Sequence, residues 1–149
     1  MGGRAPHYSI VLAAGEGTRM GSTTRNKVCF PIDGQPAINR ALKIYNECGI
    51  KQHIVVVGAL AGQVIETVGA AFDNAVFVYQ AERLGTAHAA KQALKVLDGL
   101  ESVQDVLLVA GDRIIKAAVL EQLFDLYYSQ NCDMAVLAVP GRQKSNQGL

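Results

Sequence analysis

Cysteine is scarce in this chain and has no pattern. Cys29, Cys48 and Cys132 are the three among 149 residues; their number is odd, no two form a C-x-x-C pair, and no histidine lies at ligand spacing. They read as the ordinary reduced thiols of a cytosolic protein. Long apolar runs are also missing: none reaches the roughly 18 residues of a membrane span. Met1 to Tyr8 is short, polar and glycine-bearing, without the apolar core of a signal peptide. The expectation is a soluble, cytoplasmic protein. Charge of one sign is absent as well. Fourteen Lys and Arg balance thirteen Asp and Glu, for a net charge of +1, and no run of like charge points to nucleic acid or to a membrane surface. Any anion site must therefore be local. Repeats, low-complexity tracts and linkers are lacking too.

Half of the residues are hydrophobic, so one domain with a real core is expected, and two comfortable ones are not. The apolar segments alternate in period. Ile10 to Ala14, His53 to Val57, Val76 to Tyr79, Asp105 to Ala110 and Met134 to Val139 read as strands. Ala37 to Cys48, Gln63 to Val68, Thr86 to Leu97 and Ala117 to Ser129 read as helices, with Thr86 in place to cap the third. Between Pro31 and Pro36 the Asp33-Gly34 pair is a turn signal. The order β-α-β-α-β-α-β-α-β predicts an α/β fold: three layers, with a mostly parallel sheet covered by helices on both faces. Such sheets bind ligands beyond the carboxyl ends of their strands. Three sequence-distant loops should meet there, after the first, third and fourth strands.

The first of these loops carries the most chemistry. Ser9 to Lys27 reads SIVLAAGEGTRMGSTTRNK, an apolar strand running into Gly15, Gly17 and Gly21 with Arg19, Arg25 and Lys27 spaced along the loop. Glycine takes positive φ and admits close approach to the backbone, so successive N–H groups can form a concave nest for phosphate oxygens, which the cations neutralise. A P-loop is excluded, because Met20 stands where its second glycine belongs and Lys27 lies too far along. The dinucleotide fingerprint G-x-G-x-x-G also meets Met20, with Gly21 one place late. A dinucleotide-binding oxidoreductase would further need an acidic residue at the end of the second strand, which instead reads Val57-Gly58-Ala59 with no Asp or Glu until Glu66.

Asp112, after Gly111 at the end of the fourth strand, is the second site. An aspartate there can give oxygen to a hard divalent cation, since Mg²⁺ usually takes one or two protein carboxylates plus substrate phosphates. Read alone it is more often a solvated turn or capping residue; beside a phosphate loop on a neighbouring strand the order reverses and the metal reading leads. The third site is QAERLGTAHAA, Gln80 to Ala90. The Gln80 amide offers paired donor and acceptor groups, and exposed backbone near Gly85 adds to them. His88 has no carboxylate or nucleophile beside it in sequence and reads as a structural residue of the helix.

Leu12 to Met20 resembles throughout the L-A-A-G-x-G-T-R-M signature of the sugar-1-phosphate nucleotidyltransferases, with Lys27 where that family has its second phosphate-binding cation. Gln80 to Ala90 resembles the Q-A-E-x-L-G-T-x-H-A segment of the bacterial N-acetylglucosamine-1-phosphate uridyltransferases. The resemblance implies the Rossmann-like nucleotide-diphospho-sugar transferase fold, and the 149 residues correspond to its nucleotide-binding portion. It assigns Arg19 and Lys27 to catalysis, Leu12, Ala13, Ala14, Gly15, Gly17, Thr18, Gln80, Gly85 and Thr86 to the nucleotide, and Asp112 to Mg²⁺. It implies transfer of a nucleotidyl group from UTP to N-acetylglucosamine-1-phosphate with release of pyrophosphate. Two features depart from the family: Ile114 stands where proline is frequent, and relatives run on into a part that supplies sugar-binding residues and a second metal ligand. The alternative function is a nucleotide-binding or regulatory module without turnover.

Overall fold

The structure is a computed structural model that describes residues 3–15, 24–100 and 105–140. Its centre is β1 (Tyr8–Ala13), whose apolar run is flanked on one side by β4 (Gln52–Val57) and on the other by β6 (Val106–Ala110), all parallel. β5 (Ala75–Tyr79) extends the sheet beyond β4, so the strand order is β5-β4-β1-β6. The chain thus adds strands outward in one direction and then returns across β1 to add the last. A return of that kind leaves a switch point between β1 and β6, where the loops leaving two neighbouring strands diverge to opposite faces and open a crevice. Asp33 (φ 49°) and Gly34 (φ 80°) both take positive φ, as a two-residue hairpin turn demands. They join the small ribbon of β2 (Pro31–Ile32) and β3 (Gln35–Pro36).

Helices cover both faces for reasons written in their spacing. α1 (Ala37–Glu47) sets Ile38, Ala41, Leu42 and Tyr45 on one stripe, and all four are buried. Burying a side chain the size of Leu42 contributes about 2 kcal/mol. α1 shares a core with α2 (Ala61–Gly69), α4 (Ala117–Ser129) and the inward residues Val11, Val55 and Val109 of the sheet. The opposite face is covered by α3 (Thr86–Leu97) through Ala89, Ala93 and Leu97 against Ile10, Ile54 and Val56. Alternate strand residues enter alternate cores, as the period of two requires. Three layers result, with a parallel sheet in the middle.

Most of the expected elements are present within one or two residues. Two expectations are corrected. Residues 134–139 form no strand: they are unpaired among the described residues, with Met134, Val136 and Val139 largely exposed. An apolar alternating run becomes a strand only by bonding a neighbour, and β6, the adjacent sheet edge, bonds only β1 among the described residues. Thr86 does not cap α3 either. It is the first helical residue, and the cap position belongs to Gly85 at φ 90° without a side-chain cap bond.

A polar cluster lies inside the amino-terminal half of the sheet. Ser9 and His53 are register partners on β1 and β4, and both are fully buried. Asn74 Nδ2 donates to Lys51 O (3.0 Å) and to Asn46 Oδ1 (2.9 Å), so the Asn46 oxygen faces His53 Nε2 at 2.9 Å. Nε2 therefore carries the proton, and Nδ1 accepts from the Ser9 hydroxyl at 2.7 Å. Burial drives the His53 pKa down to about 4, because a charged imidazole there would lose its water.

Candidate functional site

β1 ends beneath a tight crossing. Ala14 is buried, and a Cβ on Gly58, just past β4, would stand 2.9 Å from the Ala14 carbonyl oxygen. On the other side a Cβ on Gly111 would stand 3.0 Å from the Leu12 carbonyl oxygen, which the Gly111 N–H reaches at 2.8 Å. Both glycines are therefore there to let neighbouring backbones touch. Gly15 differs. It is exposed, and among the described residues an added Cβ would meet nothing within 4 Å.

The descending limb of the first loop is tied down by residues to which the sequence reading gave no role. Asn26 is almost wholly buried. Its side chain accepts from Val28 N (3.2 Å) and donates to Ala59 O (2.9 Å), while its own N–H donates to Gln63 Oε1 (2.8 Å). Gln63 in turn donates to Thr24 O. This clasp fixes the start of the single helical turn Lys27–Cys29. Asparagine just before such a turn is a capping signal that could have been read; Gln63, 37 residues away, could not.

Lys27 leaves that turn toward the end of β6. Its Nζ lies 2.6 Å from Asp112 Oδ2, with both side chains partly accessible. Partial burial pushes the Asp112 carboxyl up, but the hydrogen bond from Lys27, its positive charge and that of Arg113 outweigh this and leave the pKa below the usual carboxylate value. The group is ionised at neutral pH. Tyr45 reaches the same loop from α1, donating to Arg113 O at 3.5 Å. The first and second sequence-predicted sites thus meet side chain to side chain, 85 residues apart in sequence, at the switch point.

The third site stands on the same carboxyl edge, two strands from β1. Gln80 N donates to Val57 O at 2.8 Å, so the chain still follows β4 as it leaves β5. The Gln80 side chain is 6% exposed. Its Nε2 lies 3.4 Å from Gly85 O and 2.9 Å from His88 Nδ1. Gly85 and Thr86 are exposed at the start of α3. Leu12 and Ala13 are strand residues packed within the sheet, Leu12 toward α3. Gly17, Thr18 and Arg19 fall outside the described residues. Among the described residues no cluster of three or more His, Cys, Asp or Glu is placed to hold a metal ion. No described helix is long and apolar enough to cross a membrane.

A parallel sheet wound in two directions from β1, with glycine-crowded strand ends and an ion pair at the reversal, is the architecture of a nucleotide-binding α/β domain. The chain belongs to the family described as the MobA-like NTP transferase domain, which matches residues 9–145. It is 34% identical to the bifunctional protein GlmU of Geobacillus sp. (strain WCH70) over 142 residues, which is 95% of this chain and 30% of that one. Rv0371c of Mycobacterium tuberculosis H37Rv superimposes with a TM-score of 0.65 at 25% identity, over 83% of this chain and 61% of its own. UDP-glucose pyrophosphorylase complexed with UDP-glucose gives a TM-score of 0.69 at 20% identity, over 86% and 55%. The chain spans about a third of the length of the GlmU relatives that it matches. The fold is the Rossmann-like nucleotide-diphospho-sugar transferase fold that the sequence implied.

Proposed function

We propose that this chain carries the nucleotide-binding portion of a nucleotidyltransferase that joins UTP to a sugar-1-phosphate, N-acetylglucosamine-1-phosphate by likeness, and releases pyrophosphate. The observation that carries the reading is the 2.6 Å contact of Lys27 with Asp112 at the switch point. A cation from the first loop and an ionised carboxylate share one spot, where a triphosphate and its metal have to be held together. The exposed Gly15, which packing among the described residues does not require, supports close approach of a ligand to the backbone.

The sugar phosphate oxygen is already anionic. It attacks the α-phosphorus in line, forming one P–O bond as the bond to the pyrophosphate oxygen breaks, and no general base is needed. What the protein contributes is positioning and neutralisation of charge that builds on the α-phosphate and leaving group. Lys27 and Arg19, with the Gly15 to Gly17 amides, hold phosphate, and Leu12, Ala13, Ala14 and Thr18 complete the nucleotide site. Gln80, Gly85 and Thr86 meet the base. Asp112 fits a hard cation: it is ionised and oxygen-bearing, and Lys27 engages one of its two oxygens. Such a carboxylate suits Mg²⁺ carried in on the nucleotide, which would supply further charge neutralisation there. Lys27 then exchanges Asp112 for a phosphate oxygen. The Rv0371c relative is also known as a complex with manganese, which suggests Mn²⁺ as a second ion to try.

Pyrophosphate release from UTP and N-acetylglucosamine-1-phosphate, measured on the 149-residue protein and on Asp112→Ala, tests turnover. A thermal-shift series across the four ribonucleotides with and without Mg²⁺ tests the base, and preference for a purine would overturn it. The second reading is a nucleotide-binding or regulatory module without turnover. Metal-dependent UTP binding without pyrophosphate release would select it.

A further inference from the structure

His88 is left over from the function just described, and its surroundings give it a task. It lies on the first turn of α3, partly buried, between two side-chain amides: Gln80 Nε2 is 2.9 Å from its Nδ1, and Gln92 Nε2 is 2.9 Å from its Nε2. A neutral imidazole has one N–H and one bare nitrogen, so it cannot accept from both amides. Fixed backbone decides between them. The Gly85 carbonyl lies 3.4 Å from the Gln80 amide nitrogen and can only accept; turning the Gln80 amide over would set two oxygens against each other. The Gln80 NH₂ group therefore faces inward, one hydrogen toward Gly85 O and the other toward Nδ1 of His88. Nδ1 is then bare, Nε2 carries the proton, and the Gln92 amide presents its oxygen to it. The competing anchor is weak: Lys95 Nζ, 3.1 Å from Gln92 Oε1, is on an exposed side chain and exchanges that contact for water at little cost.

We infer that His88 is a positioning residue that locks the Gln80 amide with its oxygen toward the ligand. Resting on the nucleotide reading above, the inference adds to it a determinant of base choice. With NH₂ held by Gly85 and His88, Gln80 Oε1 is the atom of the amide left to read a base. An oxygen accepts only. It suits the N3–H of uracil and opposes the bare N3 of cytosine, and one hydrogen bond of this kind sets a preference of about tenfold. Without His88 only the longer 3.4 Å contact with Gly85 O still opposes turning the amide over, so the amide can more often offer NH₂ to cytosine.

Two measurements test this, and they fail separately. In ¹⁵N-labelled protein, the His88 ring, assigned against a His88→Leu variant, should show the proton on Nε2 and a bare Nδ1; a proton on Nδ1 overturns the inference whatever the ligand. Calorimetric binding of UTP and CTP with Mg²⁺ should show that His88→Leu lowers the UTP preference about tenfold. His88→Asn, which puts an acceptor where Nδ1 stands, should restore it. Binding of inorganic tripolyphosphate, which has no base, should stay unchanged in both variants. UTP bound with an unaltered preference in His88→Leu sinks the positioning role alone. If the unmodified protein binds tripolyphosphate but not UTP, the nucleotide reading itself is wrong, and base choice by His88 goes with it.

Discussion

Two polar constellations occupy opposite ends of the same strands. Ser9, His53 and Asn46 hydrogen-bond in series near the amino ends of β1 and β4, and by residue type they resemble a nucleophile, a base and its orienting amide. Lys27 and Asp112 sit at the carboxyl ends of β1 and β6 with a single contact. The first has the more complete hydrogen bonding, yet Ser9 and His53 are fully buried, and burial has driven the His53 pKa away from the range of a useful base. The second is looser, half open, and carries a charge of each sign. Closure makes a polar group structural; access and unspent charge leave it able to work. In a parallel sheet that access lies at the carboxyl edge, where loops diverge and backbone N–H groups end unpaired.

Asp112→Asn should break the comparison most sharply. Turnover should fall about a thousandfold, while the melting temperature moves by no more than a surface ion pair allows; a matching loss of stability would mean that the pair is structural like its counterpart. His53→Ala should do the reverse. It leaves the buried Ser9 hydroxyl without its partner and opens space in the core, while Asn46 keeps only Asn74, and should cost about 3 kcal/mol in denaturant unfolding, with the dissociation constant for UTP unchanged in protein that remains folded.

Acidity separates the two regions a third way. His53 has its pKa lowered from 6.5 to about 4 on folding, so the unfolded chain binds the extra proton first. The stability from neutral His53 is complete above pH 6.5 and is lost as pH falls toward 4, about 3 kcal/mol in all. His53→Gln should remove that dependence. Asp112 is also lowered in the folded state, but its contribution is present above the unfolded value of 3.8 and is lost only below it. Unfolding at pH 7 and pH 4.5, with and without His53→Gln, distinguishes the windows.

Gly111→Ala should cost about 1–3 kcal/mol, because its Cβ would press on Leu12 O, and the displaced β6 end should weaken Mg²⁺-dependent nucleotide binding as well. Gly15→Ala, whose Cβ no described residue approaches within 4 Å, should leave the melting temperature alone and affect only binding. Smallest of all is Arg40→Ala. Arg40 and Asp33 make an ion pair of the same 2.6 Å as Lys27 and Asp112, but Asp33 is 80% exposed. Water competes for both charges there, so neither stability nor binding should change measurably. Equal length does not mean equal effect.

Legibility followed the range of the forces involved. α3 and α4 were read with their observed limits, Thr86–Leu97 and Ala117–Ser129, because helical hydrogen bonds join residues four apart and the buried stripe repeats within one segment. Residues 134–139 were misread because strand propensity records a surface that fits a sheet, without supplying the neighbour to pair with. At the site, Lys27 and Asp112 were each legible from local pattern. Their contact was not, nor was the Asn26–Gln63 clasp, nor the way in which Gly85 and His88 together orient Gln80.

The sequence by itself determined the elements, their alternation, the glycine loop and the family, since each is written in short spacings that one segment carries whole. Only the tertiary structure decided that β6 lies beside β1, that the cation of one loop meets the carboxylate of another, and that a serine and a histidine are sealed from water. Those outcomes depend on which strands share hydrogen bonds and which surfaces exclude solvent, and both are properties of residues far apart in the chain.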